Sequence, residues 1–209
     1  MPKDTFFNLG EEKKNRVLDA ALEEFGNRSF HQTTVSDIVR RAEIPKGSFY
    51  QYFEDKKDLY SYLIKISQEK KLNFMSKALE EMAEESVFTQ LRKLYRAGFR
   101  FAENNPKLLA IGQSLIKEDQ ALRQELLGKS ASSGEDFIIK MLEQGVEEGE
   151  INPEVNLSVA ASIITQYNLN LVDLFLEKPI QEEAEEFLSK IDDMLYIIKN
   201  GLLKEDVPE

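Results

Sequence analysis

Between residues 33 and 59 the chain reads TTVSDIVRRAEIPKGSFYQYFEDKKDL, and these side chains suit contact with a polyanion. Lys46 brings a positive charge. Gly47 beside it has no side chain, so backbone can approach a phosphate or a base edge closely. Ser48 can donate or accept a hydrogen bond. Tyr50 and Tyr52 can place hydroxyls on phosphates and rings against thymine methyls, and Gln51 can address an adenine edge. Thr33 and Thr34 are placed for the backbone of the opposite strand, and Lys56 for a further phosphate. Phe49 and Phe53, four apart, point the other way into a core.

Such a surface needs elements to hold it. Thr34 followed by Asp37 is a helix start, and Val35, Ile38, Val39 and Ala42 are that helix's buried stripe. Pro45 suits a first helical turn, where a missing N–H costs nothing, and Lys46–Phe53 follow as a second helix. Two short helices in this order, the second basic and aromatic, are how a helix-turn-helix enters the major groove. Ahead of them, Asn8 followed by Glu11 is a capping-box start. Val17, Leu18, Ala21, Leu22 and Phe25 continue at helical spacing, giving a helix over 11–26.

The rest reads as helix throughout. Asp55 and Asp58 cap a long helix to about Met82, which would span roughly 40 Å. Ser86 starts a helix through Phe101, and Pro106 opens a short one. Asp119 begins another that ends near Gly149 and Asn152–Pro153, with its weak point at Ser130–Gly134. Residues 157–176 are apolar nearly all round, Pro179 breaks that helix, and a last helix covers 181–203. The fold class is therefore all-α: a three-helix helix-turn-helix head over residues 1–54 and a larger ligand-binding and dimerisation body over 55–209.

Composition narrows the function. The 209 residues include one His, no Cys and no Trp. That leaves no disulfide framework, no Cys metal site and no multi-His site, so neither metal nor cofactor is expected. No apolar run approaches the roughly 18 residues of a membrane span, and no secretory signal leads the chain, so the expected compartment is the cytoplasm. The net charge is −11. Residues 1–60 hold 10 Lys/Arg against 11 Asp/Glu, leaving 17 against 27 for the remainder. An acidic body weakens sequence-blind DNA association, which rests on phosphate charge. It also aids solubility.

The stretch 15–62 resembles the DNA-binding domain of TetR/AcrR-type bacterial transcriptional regulators. The resemblance rests on Ala20–Ala21, Phe25, Thr33–Thr34–Val35, Asp37–Ile38–Val39, Ala42, Lys46 through Phe53, Lys56 and Asp58–Leu59. It implies a homodimeric, all-helical repressor of about nine helices, released from a double-stranded operator by a small molecule. Two residues depart from the family's habit. Ser29 and Glu43 stand where it often has glycine, and a residue other than glycine at positive φ costs about 1 kcal/mol.

A helix apolar on every side needs cover on every side. Helices 157–176 and 181–203 are therefore expected to pair with their copies in a second subunit, so that two heads read a near-palindromic operator. Tyr95, Gly98, Phe99, Gln166, Tyr167, Asn168 and Asn170, with Gln113, offer aromatic walls and a few amides for a neutral or weakly polar effector. Its binding would move the long helix and with it the spacing of the heads. The alternative is a DNA-bound adaptor that recruits a protein and senses no small molecule. An enzyme is not expected: phosphate-loop, nucleophile-elbow, zinc-protease and calcium-loop patterns are all missing. His31, beside a helix start, reads as a surface residue.

Overall fold

A computed structural model describes residues 1–80, 85–127, 133–175 and 184–201. Among them run eleven α-helices and no strand. They are α1 (Asp4–Phe7), α2 (Glu11–Asn27), α3 (Val35–Arg41), α4 (Lys46–Tyr52), α5 (Lys56–Glu80) and α6 (Val87–Asn104), then α7 (Pro106–Lys117), α8 (Gln120–Leu127), α9 (Ser133–Glu147), α10 (Leu157–Phe175) and α11 (Ala184–Asn200).

Two of these exceed the nine expected. The span expected as one helix from Asp119 to about Gly149 carries α8 and α9, with 128–132 between them outside the described residues, and α1 precedes the first expected helix. The sequence reading missed α1 because four residues are too few to display a period. Its formation also moves a cap: Asn8 closes α1, its N–H donating to Asp4 O at 3.0 Å, and Gly10 takes the N-cap place of α2. Met82, Ser130, Pro179 and the outer ends of the last two expected helices (176, 181–183, 202–203) lie outside the described residues. Gly134, placed at the weak point, is helical.

The other expected starts are built as local chemistry dictates. The Thr34 hydroxyl accepts the Asp37 N–H at 3.1 Å at the head of α3. Asp55 accepts the Asp58 N–H at 2.8 Å, and the Asp58 carboxylate accepts the Glu54 N–H at 3.2 Å, opening α5. Asp119 accepts the Leu122 N–H at 2.9 Å ahead of α8. Each satisfies N–H groups that a helix leaves without an internal partner.

The chain forms two compact units. The first comprises Met1–Leu72 and Asn104–Ala131. In it α3 packs on α2 and α4, α1 on α4, and α7 lies along α2. Gly26 permits that last approach, since a Cβ there would stand 3.0 Å from the Ala110 Cβ. Phe6, Phe25, Ile38, Phe49, Phe53, Leu59, Tyr60 and Leu63 fill the core. Each such side chain contributes about 1.5–3 kcal/mol when fully buried. Phe25 stacks on Tyr60 at 4.5 Å between centroids. Glu24, buried in α2, accepts the Arg41 Nε–H at 2.7 Å and so ties α2 to the end of α3.

The second unit comprises Asn73–Glu103 and Ser132–Glu209. Here α9 packs on α10. Val87, Leu91 and Leu94 of α6, Met141 and Leu142 of α9, Ile164 of α10 and Ile191 and Met194 of α11 share one apolar cluster. A bidentate pair joins α6 to α11, Arg92 to Asp192 at 2.5 and 2.7 Å.

Candidate nucleic-acid interface

The turn between α3 and α4 sets the angle of α4. Glu43 adopts φ 53°, the one non-glycine residue at positive φ among those described, whereas Ser29 does not. Around it the Ile44 N–H reaches Val39 O at 3.0 Å and the Glu43 N–H reaches Arg40 O at 3.3 Å. These are the two bonds of a Schellman ending, whose left-handed position favours glycine. Ile44 and Val39, the two positions whose apolar contact accompanies such an ending, are both buried.

Pro45 stands at the N-cap of α4, one place before the helix. Phe49 and Tyr52 of α4 are buried, and Phe53 follows them inward. Three anchors on one side leave Lys46, Gly47, Tyr50 and Gln51 on the other, all exposed, with Ser48 half-buried. Tyr50 keeps 47% of its surface open. Lys46 donates to the Ser36 hydroxyl at 3.3 Å, so its charge sits beside the start of α3, where Thr34 is also exposed. Asp37 is neutralised locally. The Thr34 hydroxyl above all holds its carboxyl below the usual carboxylate range, with Arg40 and Arg28 adding to the effect and desolvation opposing it.

Three of the expected contact residues face inward instead. The Thr33 hydroxyl is buried and bonds within the fold, donating toward Ser29 O at 3.1 Å or Glu24 O at 3.3 Å. The Tyr52 ring is buried 6.2 Å from Phe6, with the Lys13 ammonium 5.7 Å from its centroid. Lys56 donates to Phe30 O at 2.6 Å and Thr33 O at 2.9 Å and lies 4.3 Å from the Phe30 ring centroid. Desolvation pulls its pKa down, with Glu118 opposing. An ammonium bonded to two backbone carbonyls and seated over a ring pins the loop between α2 and α3. The residues gathered on one open face are Thr34, Lys46, Gly47, Ser48, Tyr50 and Gln51.

The effector candidates separate by unit. Tyr95 is buried in the second unit's apolar cluster, its hydroxyl donating to Ile164 O at 3.3 Å, and Phe99 and Tyr167 pack against the same cluster. Phe99 lies 5.4 Å from the Phe187 ring. Burial pushes the Tyr95 phenol far up, with Tyr167 adding to the effect, so it is neutral at physiological pH. Gln166 is exposed, and Gln113 belongs to the first unit. The side chains of Asn168 and Asn170 lie outside the described residues. Gly98 is on α6, with open space where a Cβ would stand.

The sequence profile described as "Bacterial regulatory proteins, tetR family" matches residues 17–63, the span from α2 into α5. A TetR family transcriptional regulator from Chloroflexus aurantiacus is 30% identical in sequence. The match covers 96% of this chain and 98% of that one, with a TM-score of 0.73. The chain belongs to the TetR family. It is thus a DNA-binding transcriptional regulator and not an enzyme. The HTH-type regulator YdgC of Bacillus subtilis is 25% identical over 190 residues, 90% of this chain and 93% of that protein. The regulator FadR of Bacillus subtilis, solved in complex with stearoyl-CoA, shares the fold at a TM-score of 0.71. It is 21% identical, over 90% of this chain and 99% of that one.

Proposed function

We propose that this TetR-family regulator is a dimeric repressor that reads a near-palindromic operator with α4 of each protomer and leaves it when a small molecule occupies the second unit. The observation that carries the DNA reading is the two-sidedness of α4. Phe49 and Tyr52 lock one side, while Lys46, Gly47, Tyr50 and Gln51 stand open on the other beside Thr34. A helix of this size fits the major groove, with backbone contacts setting register and Gln51 and Tyr50 addressing bases.

Dimerisation is supported by an uncovered apolar face on the second unit. Val159 and Ile163, one turn apart on α10, are each 54% exposed. Tyr196 and Ile197 on α11 are 68% and 46% exposed. Exposed apolar side chains on two helices of one unit suit an interface, and a two-fold pairing of that surface with its copy would cover them.

The effector is proposed to carry a long apolar chain. Tyr95, Phe99 and Tyr167 lie within aliphatic surroundings supplied by α6, α9, α10 and α11, and FadR of similar fold was solved with stearoyl-CoA. The effector must bind the DNA-incompetent form more tightly. A coupling of about 1–3 kcal/mol changes operator affinity roughly 5–150-fold. Because α5 is covalently continuous from the first unit into the second, it is the proposed carrier of that coupling.

Genome-wide footprinting supplies the operator, and fluorescence anisotropy then measures its affinity. Tyr50→Ala and Lys46→Ala are expected to weaken binding at unchanged helicity and dimer mass. Normal operator binding by both variants removes α4 as the reading helix. Long-chain acyl-CoA, the free fatty acid and unacylated CoA are then titrated into the complex. Release by the acyl compounds alone supports the effector class. No release by any of them refutes that class, and retained repression with a bound protein partner favours the adaptor reading.

A further inference from the structure

The carboxyl end of α4 is completed by residues from the opposite end of the head's sequence. A helix leaves its last four carbonyls without internal partners, and α4 has only seven residues, too few to hold itself in water. Phe49 O is satisfied by the Phe53 N–H at 2.9 Å. The next three carbonyls are all met by Lys3, the N-cap residue of α1, and Thr5 in its first turn. The Lys3 ammonium donates to Tyr50 O at 2.8 Å, the Thr5 hydroxyl donates to Gln51 O, and the Lys3 N–H donates to Tyr52 O at 2.8 Å. Phe6 fastens this segment in place. It is fully buried, with its ring 4.8 Å from Phe53 and 5.8 Å edge-on from Tyr62. The Lys3 charge also stands at the negative end of the α4 dipole.

We infer that Lys3 and Thr5 are positioning residues for operator recognition: the N-terminal segment is the C-terminal cap of the reading helix, and it fixes the frame on which Tyr50 and Gln51 address bases. Two of the bonded carbonyls belong to Tyr50 and Gln51 themselves. Loss of the cap frays the last turn and lets those two side chains wander. Phosphate contacts at the start of α4 remain. Selectivity therefore falls more than sequence-blind affinity. The inference rests on the reading of α4 as the groove-entering helix.

Thr5→Val removes the hydroxyl at an exposed position without changing charge or bulk, and Thr5→Ser restores it. Anisotropy titrations are run on the operator and on random duplex of equal length, at several salt concentrations, with Tyr50→Ala in parallel. Thr5→Val is expected to weaken operator binding about tenfold, the equivalent of one hydrogen bond of about 1.4 kcal/mol. Random-duplex affinity and the salt slope stay at wild-type values, and Thr5→Ser recovers the loss. Amide exchange at Gln51–Phe53 rises in Thr5→Val while exchange in α2 does not. If Tyr50→Ala loses operator affinity and Thr5→Val keeps wild-type selectivity, the cap has no positioning role, although α4 still reads DNA. An equal loss on operator and random duplex also overturns the inference, since it reports general destabilisation. If Tyr50→Ala too binds normally, the reading of α4 fails, and the inference with it.

Discussion

Glu43→Gly is expected to stabilise this protein, and its size follows from backbone geometry. Glu43 sits at φ 53° as the left-handed residue of the α3 ending. Holding an L-residue there costs roughly 1–2 kcal/mol. Glycine removes that cost but loses about 0.4–1 kcal/mol through the greater freedom of its unfolded chain. The net gain is about 0–1.6 kcal/mol, centred on ~0.8 kcal/mol, which for a chain of this length raises Tm by roughly 2–3 °C. Glu43→Ala is the necessary reference, because it deletes the same carboxylate and keeps the strain. The three proteins are compared by calorimetry and urea unfolding at one fixed protomer concentration, since a dimer's Tm depends on concentration. The expected order is Gly above Glu, with Ala at or near Glu. Equal stability of the Gly and Ala variants would refute the argument from φ and assign any gain to the lost charge. The gain should also leave operator selectivity intact, because the two bonds from Glu43 and Ile44 use backbone groups that glycine retains.

Other outcomes test the remaining assignments. Lys56→Met strips Phe30 O and Thr33 O of their charged donor. It should cost roughly 2–3 kcal/mol of stability while leaving the salt dependence of operator binding unchanged. A slope lower by about one would instead make Lys56 a phosphate contact. Ile163→Asp places a charge on the uncovered face of α10 and should yield monomers in sedimentation equilibrium. The operator affinity should then drop about 100-fold or more, the avidity of the second head being lost. Retained dimers would move the interface elsewhere. Burial, opposed by Ser114 and reinforced by Glu118, pushes the Tyr60 phenol up to about 12 from its ordinary 10.0. Between those values the unfolded chain binds fewer protons than the native one, so stability falls as pH rises from 10 to 12. Tyr60→Phe should flatten that part of the curve measured by urea unfolding, and an unchanged slope would refute it.

Much of the head is legible in the sequence because its determinants are local. A hydroxyl or carboxylate three residues before the N–H it receives is a cap wherever the chain goes. Thr34, Asp55 and Asp119 accordingly stand where the sequence places them. Phe49 and Phe53, four apart on one face, are core for the same reason. The family resemblance marks both Ser29 and Glu43 as places where glycine is usual, and of the two only Glu43 takes positive φ. Asn8 misleads: the capping pattern is present, but the preceding four residues form α1 and Asn8 is its C-cap.

What only the tertiary structure decided is where polar side chains spend their hydrogen bonds. Thr33, Tyr52 and Lys56 have the residue types of a DNA surface, yet the first two are buried and the third is engaged by backbone carbonyls. The partners of Lys56 lie 26 and 23 residues away, and Lys3 and Thr5 reach carbonyls 47 and 46 residues away. No periodicity encodes such pairs. They form because packing brings distant segments side by side, and carbonyls at helix ends and in loops, which lack a partner within their own element, take the nearest donor in space, whatever its distance along the chain.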